Sequence, residues 1–302
     1  MKTITFFSYK GGVGRTLAAT NFAVYLAKLG LKVVVLDFDL EAPGVDSKFR
    51  EFTLPSGQHG IIDLVLDFQR FGGVVATVEG LVCDVPIPSP REEYSLGIIS
   101  AGDYMAEDYA EKLNELNWSS VFSDARDGVG FFQSLLHKIE EERRPDVLII
   151  DSRTGFSEIG GLCTQQLADE TVILSSMAAE SVKMTKHLAR RISESSIAAE
   201  LGRTVETKIV VSRVPRPADV DVLKRQCCER FGVDNSKLFF LFSCSELERE
   251  EFVAMLDTER EDRLVASYIQ LFQGLDVEVA QRSIQEEIER AERGLLLSLI
   301  HI

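Results

Sequence analysis

The sequence has no apolar run long enough to span a bilayer. It also lacks a C-x-x-C pair, an internal repeat and a low-complexity linker. Its cysteines (Cys83, Cys163, Cys227, Cys228 and Cys244) and its four histidines stand at spacings that build no zinc site. Such usage reads as reduced thiols in the cytoplasm. The adjacent pair Cys227 and Cys228 would point in different directions from a helix, which favours core packing over metal ligation. Positive charge is scarce as well: 33 Lys and Arg stand against 48 Asp and Glu, a formal net charge of −15. Duplex DNA is bound largely through Lys and Arg that neutralise phosphates, so this balance argues against a general affinity for DNA. A cleavable leader is not expected, because the first apolar stretch runs at once into a glycine-rich loop that it must carry.

What is present is an alternation of strand and helix signals over 302 residues, with ordinary hydrophobic (45%) and charged (27%) content. Continuous apolar runs suit strands buried on both faces of a parallel sheet, and they are expected at 3–8, 32–37, 96–100, 147–151, 170–175, 207–212 and 237–242. Helices are expected at 15–29, near 60–69, 106–115, 128–142, 157–166, 179–197, 219–230, 262–274 and 276–294. A weak strand is read near 80–85. Repeated β–α units imply right-handed crossovers and an α/β, three-layer fold, a mostly parallel sheet with helices on both faces. Functional residues should then lie at the carboxyl ends of strands. Residues 43–92, rich in Gly and Pro, read as an irregular insertion over the sheet edge. The helix over 276–294 is charged and lacks the basic face of a membrane-surface helix. The apolar tail at 297–302 reads either as a native tail docked on the domain or as a sequencing-adapter remnant, with the natural chain continuing past Leu296.

The most informative segment is Lys10-Gly11-Gly12-Val13-Gly14-Arg15-Thr16, between a strand and a helix. Glycines let the backbone curl until several N–H groups point at one anion, and the following helix adds its free N–H groups and dipole. Thr16 is placed for Mg²⁺ as the Ser/Thr of a phosphate loop is. The loop departs from G-x-x-x-x-G-K-[ST] twice, with Tyr9 for the first Gly and Arg15 for the Lys. It resembles the deviant Walker A motif of the ParA/MinD-type ATPases, a branch of the P-loop NTPases, in a variant subgroup with Arg at the second basic position. That resemblance implies a nucleotide site over Lys10, Gly11, Gly12, Val13, Gly14, Arg15, Thr16 and Leu17. It also implies that Lys10 reaches across an ATP-sandwiched dimer.

Two acidic motifs fall where such a site needs them. Val33-Val34-Val35-Leu36-Asp37-Phe38-Asp39 ends a buried strand in two carboxylates. The resemblance implies that Asp39 positions the attacking water and that Asp37 lies beside Mg²⁺; a strand-end turn accounts for the pair equally well. Val147-Leu148-Ile149-Ile150-Asp151 has the form of a Walker B strand, with Asp151 holding Mg²⁺ through water or capping a helix. Arg153 is read as a phosphate or partner contact, or as a surface ion pair. Arg213, after Val210-Val211-Ser212, corresponds in the resemblance to a residue framing the base.

The expected function is a slow, MgATP-dependent ATPase whose homodimer switches a protein partner. The alternatives are a nucleotide-binding scaffold with negligible hydrolysis and a DNA-partition ATPase. A single basic cluster, Lys183, Lys186, His187, Arg190 and Arg191, reads as a solvated helix face or a weak DNA contact. An iron–sulphur carrier would need cysteine pairs, and a tyrosine kinase of this fold a tyrosine-rich tail; neither feature is present.

Overall fold

Apolar strand runs and one glycine loop set the frame of the molecule. A computed structural model describes residues 1–49, 57–88, 94–123, 125–215, 218–247, 249–257, 263–275 and 277. Among these, eight strands are seen: β1 (Lys2–Ser8), β2 (Val33–Asp37), β3 (Val82–Ile87), β4 (Tyr94–Ile99), β5 (Val147–Asp151), β6 (Glu170–Ser175), β7 (Glu206–Val214) and β8 (Leu238–Phe242). They form one sheet in the order β3-β4-β2-β5-β1-β6-β7-β8. Every pair is parallel except β3 with β4. The connection from β3 to β4 is too short for a crossover, so the weak strand expected near 80–85 returns antiparallel.

The helices are α1 (Arg15–Lys28), α2 (Ile61–Phe71), α3 (Tyr109–Glu115), α4 (Trp118–Val121), α5 (Gly128–Arg143), α6 (Glu158–Gly161), α7 (Ala179–Ser193), α8 (Ser196–Glu200), α9 (Val220–Phe231) and α10 (Arg263–Gln273). Alternate residues of the continuous strands feed opposite faces. Val33, Val35, Val147 and Ile149 pack with α1 and α10. Val34, Leu36, Leu148 and Ile150 pack with α2 and α5. A third cluster joins β6, β7 and β8 to α7 and α9. The result is the expected three-layer α/β architecture, a mostly parallel sheet with helices on both faces.

Three elements depart from sequence periodicity for identifiable reasons. The helix expected at 157–166 is α6 followed by a wide π turn at Leu162–Gln166. There the hydroxyls of Thr5 and Thr171 donate to the carbonyls of Cys163 (2.7 Å) and Thr164 (3.2 Å), drawing the turn onto the sheet. The helix expected at 179–197 stops at Ser193 and restarts as α8, because the Ser195 hydroxyl accepts from the Ala198 N–H at 3.3 Å. Helix α1 is buried over most of its circumference. Its outer side is covered by α10, where the Phe272 ring lies 4.9 Å from Phe22 and 5.3 Å from Tyr25. Met255 N–H also donates to Asn21 Oδ1 at 2.9 Å. The helix expected over 276–294, Val277 apart, and the tail at 297–302 lie outside the described residues. Among the described residues no helix is long and apolar enough to cross a membrane.

Candidate nucleotide-binding site

Residues 9–14 join β1 to α1. Gly12 (φ 72°) and Gly14 (φ 80°) adopt the left-handed backbone that side chains disfavour, and this lets the loop curl at the helix start. No side chain caps α1, and its first turn holds no acid. Its leading N–H groups and the positive end of its dipole therefore face the loop, an arrangement that attracts anions.

At the neighbouring strand ends the structure brings together four of the expected residues. The Arg15 side chain is 6% exposed. Its Nε donates to Asp151 Oδ1 at 2.6 Å and its Nη2 to Asp39 Oδ2 at 2.6 Å. Thr16 Oγ1 donates to the other Asp151 oxygen, also at 2.6 Å. Burial alone would lower the Arg15 pKa, but Asp151 and Asp39 together outweigh it and hold the guanidinium above its ordinary value. Burial raises the Asp151 pKa, although Arg15 pulls it down.

Asp37 is placed differently. It lies opposite Asp151 in the β2–β5 register. Its Oδ1 accepts from the Asp39 N–H (3.0 Å), and its Oδ2 accepts from the N–H groups of Gly44 (3.0 Å) and Val45 (3.1 Å). The carboxylate thus staples the loop after β2. Complete burial, with the charge of Asp151 second, pushes its pKa up to about 7 against those backbone donors.

The remaining expected residues surround this centre. Lys10 Nζ meets Glu180 Oε2, on the first turn of α7, at 2.5 Å. Tyr9 packs edge-on to Phe156 at 5.8 Å, and Phe156 is half exposed. Arg213 takes a left-handed backbone (φ 55°) where the β7–β8 ladder shifts register. With Val13, Gly14, Leu17, Ser212 and Tyr268 it lines a pocket beside the loop. Arg153 pairs with Glu41 at 2.7 Å, the surface-pair alternative. Asp151 caps no helix, since Ser157 caps α6. Lys183, Lys186, His187, Arg190 and Arg191 are exposed on α7, with Arg190 held by Glu194 at 3.0 Å.

Sequence reasoning missed Glu180 and the buried hydroxyl of Ser8, and named Ser212 only as the residue before Arg213; the hydroxyls of Ser8 and Ser212 are buried. Both hydroxyls lack a partner, as does Arg15 Nη1. Lone serines and a surface glutamate carry no sequence pattern, but Ser8 and Ser212 both stand at strand ends near the loop.

The donor set fits Mg²⁺. Thr16 and Asp151 offer hard oxygens on adjacent elements, and Mg²⁺ is commonly held by one or two carboxylates together with phosphates and waters. Among the described residues no three His, Cys, Asp or Glu side chains form a cage by themselves; an ion shared with phosphates does not need one.

A mostly parallel sheet, a left-handed glycine loop feeding a helix, and acids at the adjacent strand ends define a P-loop NTPase fold. The family model described as the CobQ/CobB/MinD/ParA nucleotide binding domain matches residues 4–214, and the chain belongs to that family. It is 50% identical over 38 residues to the chromosome-partitioning ATPase Soj of Treponema pallidum, a match covering 13% of this chain and 15% of the relative's length. Among solved structures, it is similar to the septum site-determining protein MinD complexed with Mg-ADP from Pyrococcus horikoshii OT3 (TM-score 0.62, 14% identity, 93% of this chain and 98% of the other). It is likewise similar to a Cyanothece McdA–ATP complex (TM-score 0.63, 15% identity, 92% and 98%). At these identities the two structures establish the fold.

Proposed function

We propose that this protein binds MgATP in the loop Lys10–Leu17, hydrolyses it slowly, and acts as an ATP-dependent homodimer that switches a protein partner in the cytoplasm. The observation that carries the reading is the convergence of Arg15, Thr16, Asp39 and Asp151 within hydrogen-bond distance beneath a glycine loop. The loop N–H groups and the α1 dipole bind the phosphates. Thr16 and Asp151 hold Mg²⁺, which when bound neutralises charge on the phosphate oxygens. Asp39 orients water for in-line attack. Arg213 and Ser212 frame the base. Lys10, half exposed beside Glu180, is free to exchange that surface partner for the phosphates of a second copy.

Phosphate release and sizing test the reading together. Asp39→Ala should keep nucleotide binding and lose phosphate release. A slowly hydrolysed ATP analogue should produce a dimer that Lys10→Ala does not form. Hydrolysis at the wild-type rate in Asp39→Ala, or a monomer under every nucleotide condition, would remove the corresponding role. A second reading, a DNA-partition ATPase, is supported by the short match to Soj and opposed by the net charge of −15.

A further inference from the structure

The loop carries Arg where a phosphate loop ordinarily carries Lys, and the geometry gives the difference a consequence. The Arg15 guanidinium spans two carboxylates that come from different strand ends, Asp39 after β2 and Asp151 in β5. A lysine ammonium is a compact point charge and does not present a planar fork to two acceptors. Thr16 Oγ1 takes the second Asp151 oxygen, so both are engaged by the chain's own donors. The third guanidinium nitrogen, Nη1, is buried without an acceptor. A buried donor without a partner is unfavourable, and a phosphate oxygen at the loop would supply one.

We infer that Arg15 is a built-in competitor of the metal: its guanidinium, bridging Asp39 and Asp151, and a divalent cation held by Thr16 and Asp151 exclude one another, and nucleotide phosphates admit the cation by drawing Arg15 away. Arg15 thereby acts as a positioning residue for Asp39, holding it until nucleotide is present. The inference rests on the nucleotide-binding reading above, and it adds an ordered coupling between phosphate binding and metal entry.

The test uses Mn²⁺ alone as the probe, read by the electron paramagnetic resonance signal of free Mn²⁺ and by the melting temperature. Without nucleotide, wild-type protein should leave millimolar Mn²⁺ free and show no metal-dependent rise in Tm. Arg15→Gln should bind one Mn²⁺ at least about tenfold more tightly than wild type and be stabilised by it, as expected when a ligand binds the folded state alone. Arg15→Lys, which keeps the charge and loses the fork, should shift in the same direction and decides the matter if the Gln variant does not fold. Adding Asp151→Asn to either variant should abolish the gain. Equal Mn²⁺ binding by wild type and the folded Arg15 variants without nucleotide would overturn the proposal. An ATP titration on the same samples separates the two ideas: wild type that binds no ATP defeats the nucleotide reading, whereas the metal-alone contrast judges Arg15 directly.

Discussion

Replacing Asp39 by Asn changes one buried charge while leaving shape and one neutral acceptor in place. Asp39 Oδ2 lies 2.6 Å from Arg15 Nη2, and the two side chains are 12% and 6% exposed. With charge centres roughly 4 Å apart and an effective dielectric near 20, the gross attraction is about 4 kcal/mol. Desolvation offsets much of this, and a hydrogen bond to a charged group contributes about 1.5–3 kcal/mol net. Asn keeps a weaker acceptor, so the variant should lose roughly 1–2 kcal/mol in nucleotide-free protein. Thermal melts should show a fall of about 1.5–2 °C for each kcal/mol lost in a chain of this length. If nucleotide must break this bridge, Asp39→Asn should also bind a slowly hydrolysed ATP analogue more tightly, by about fivefold for 1 kcal/mol. Removing a negative charge near phosphates could produce the same sign, and a double-mutant cycle separates the causes. The gain should vanish in an Arg15→Lys background if the bridge is responsible. Lower stability combined with unchanged or weaker analogue binding would refute the reasoning.

Asp37 gives a pH signature. Its folded pKa, pushed to about 7 by burial and then by Asp151, exceeds the ordinary 3.8. Its contribution to stability is therefore full below about 3.8 and lost as pH rises through about 7. The stability of Asp37→Asn relative to wild type should climb across that window in urea titrations, by up to a few kcal/mol, and a difference independent of pH would exclude the assignment. At Gly60 a Cβ would stand 2.4 Å from Gly102 N and 2.6 Å from Ser100 O, both backbone. Gly60→Ala should destabilise by about 1–3 kcal/mol, and a melting temperature equal to wild type would show that α2 can shift freely. Non-specific duplex DNA should not be retained with ATP at physiological salt, because the cluster on α7 offers few phosphate contacts. Tight, salt-sensitive binding lost in the Lys186→Glu, Arg190→Glu variant would restore the partition reading.

Much of this molecule is legible in local sequence because buried parallel strands are locally encoded. Val33–Asp37 and Val147–Asp151 are continuous apolar runs, and both form central strands ending in acids. The glycine loop is equally local, since Gly12 and Gly14 answer to their own backbone angles. Contacts made across long separations were not legible. Arg15 meets Asp151 over 136 residues, and Lys10 meets Glu180 over 170. Neither pairing imposes a spacing or pattern on the chain. The resemblance puts Asp37 beside the metal; in the fold its Oδ2 accepts from the N–H groups of Gly44 and Val45, and its Oδ1 from that of Asp39. The loop after β2, Leu40-Glu41-Ala42-Pro43-Gly44, had no pattern from which that staple could be read. Burial of α1 on its outer side likewise depends on Met255 and Phe272, far along the chain.

Isothermal titration of ATP, with and without Mg²⁺, into wild type and Thr16→Ala tests the central claim most directly. Thr16 Oγ1 lies 2.6 Å from Asp151 Oδ2, in position to share a metal with the nucleotide. The account predicts one ATP per chain, bound more tightly with Mg²⁺ than without, and a loss of that Mg²⁺-dependent gain in Thr16→Ala. Absence of binding at millimolar ATP, or binding with the same Mg²⁺ dependence in Thr16→Ala, would contradict it.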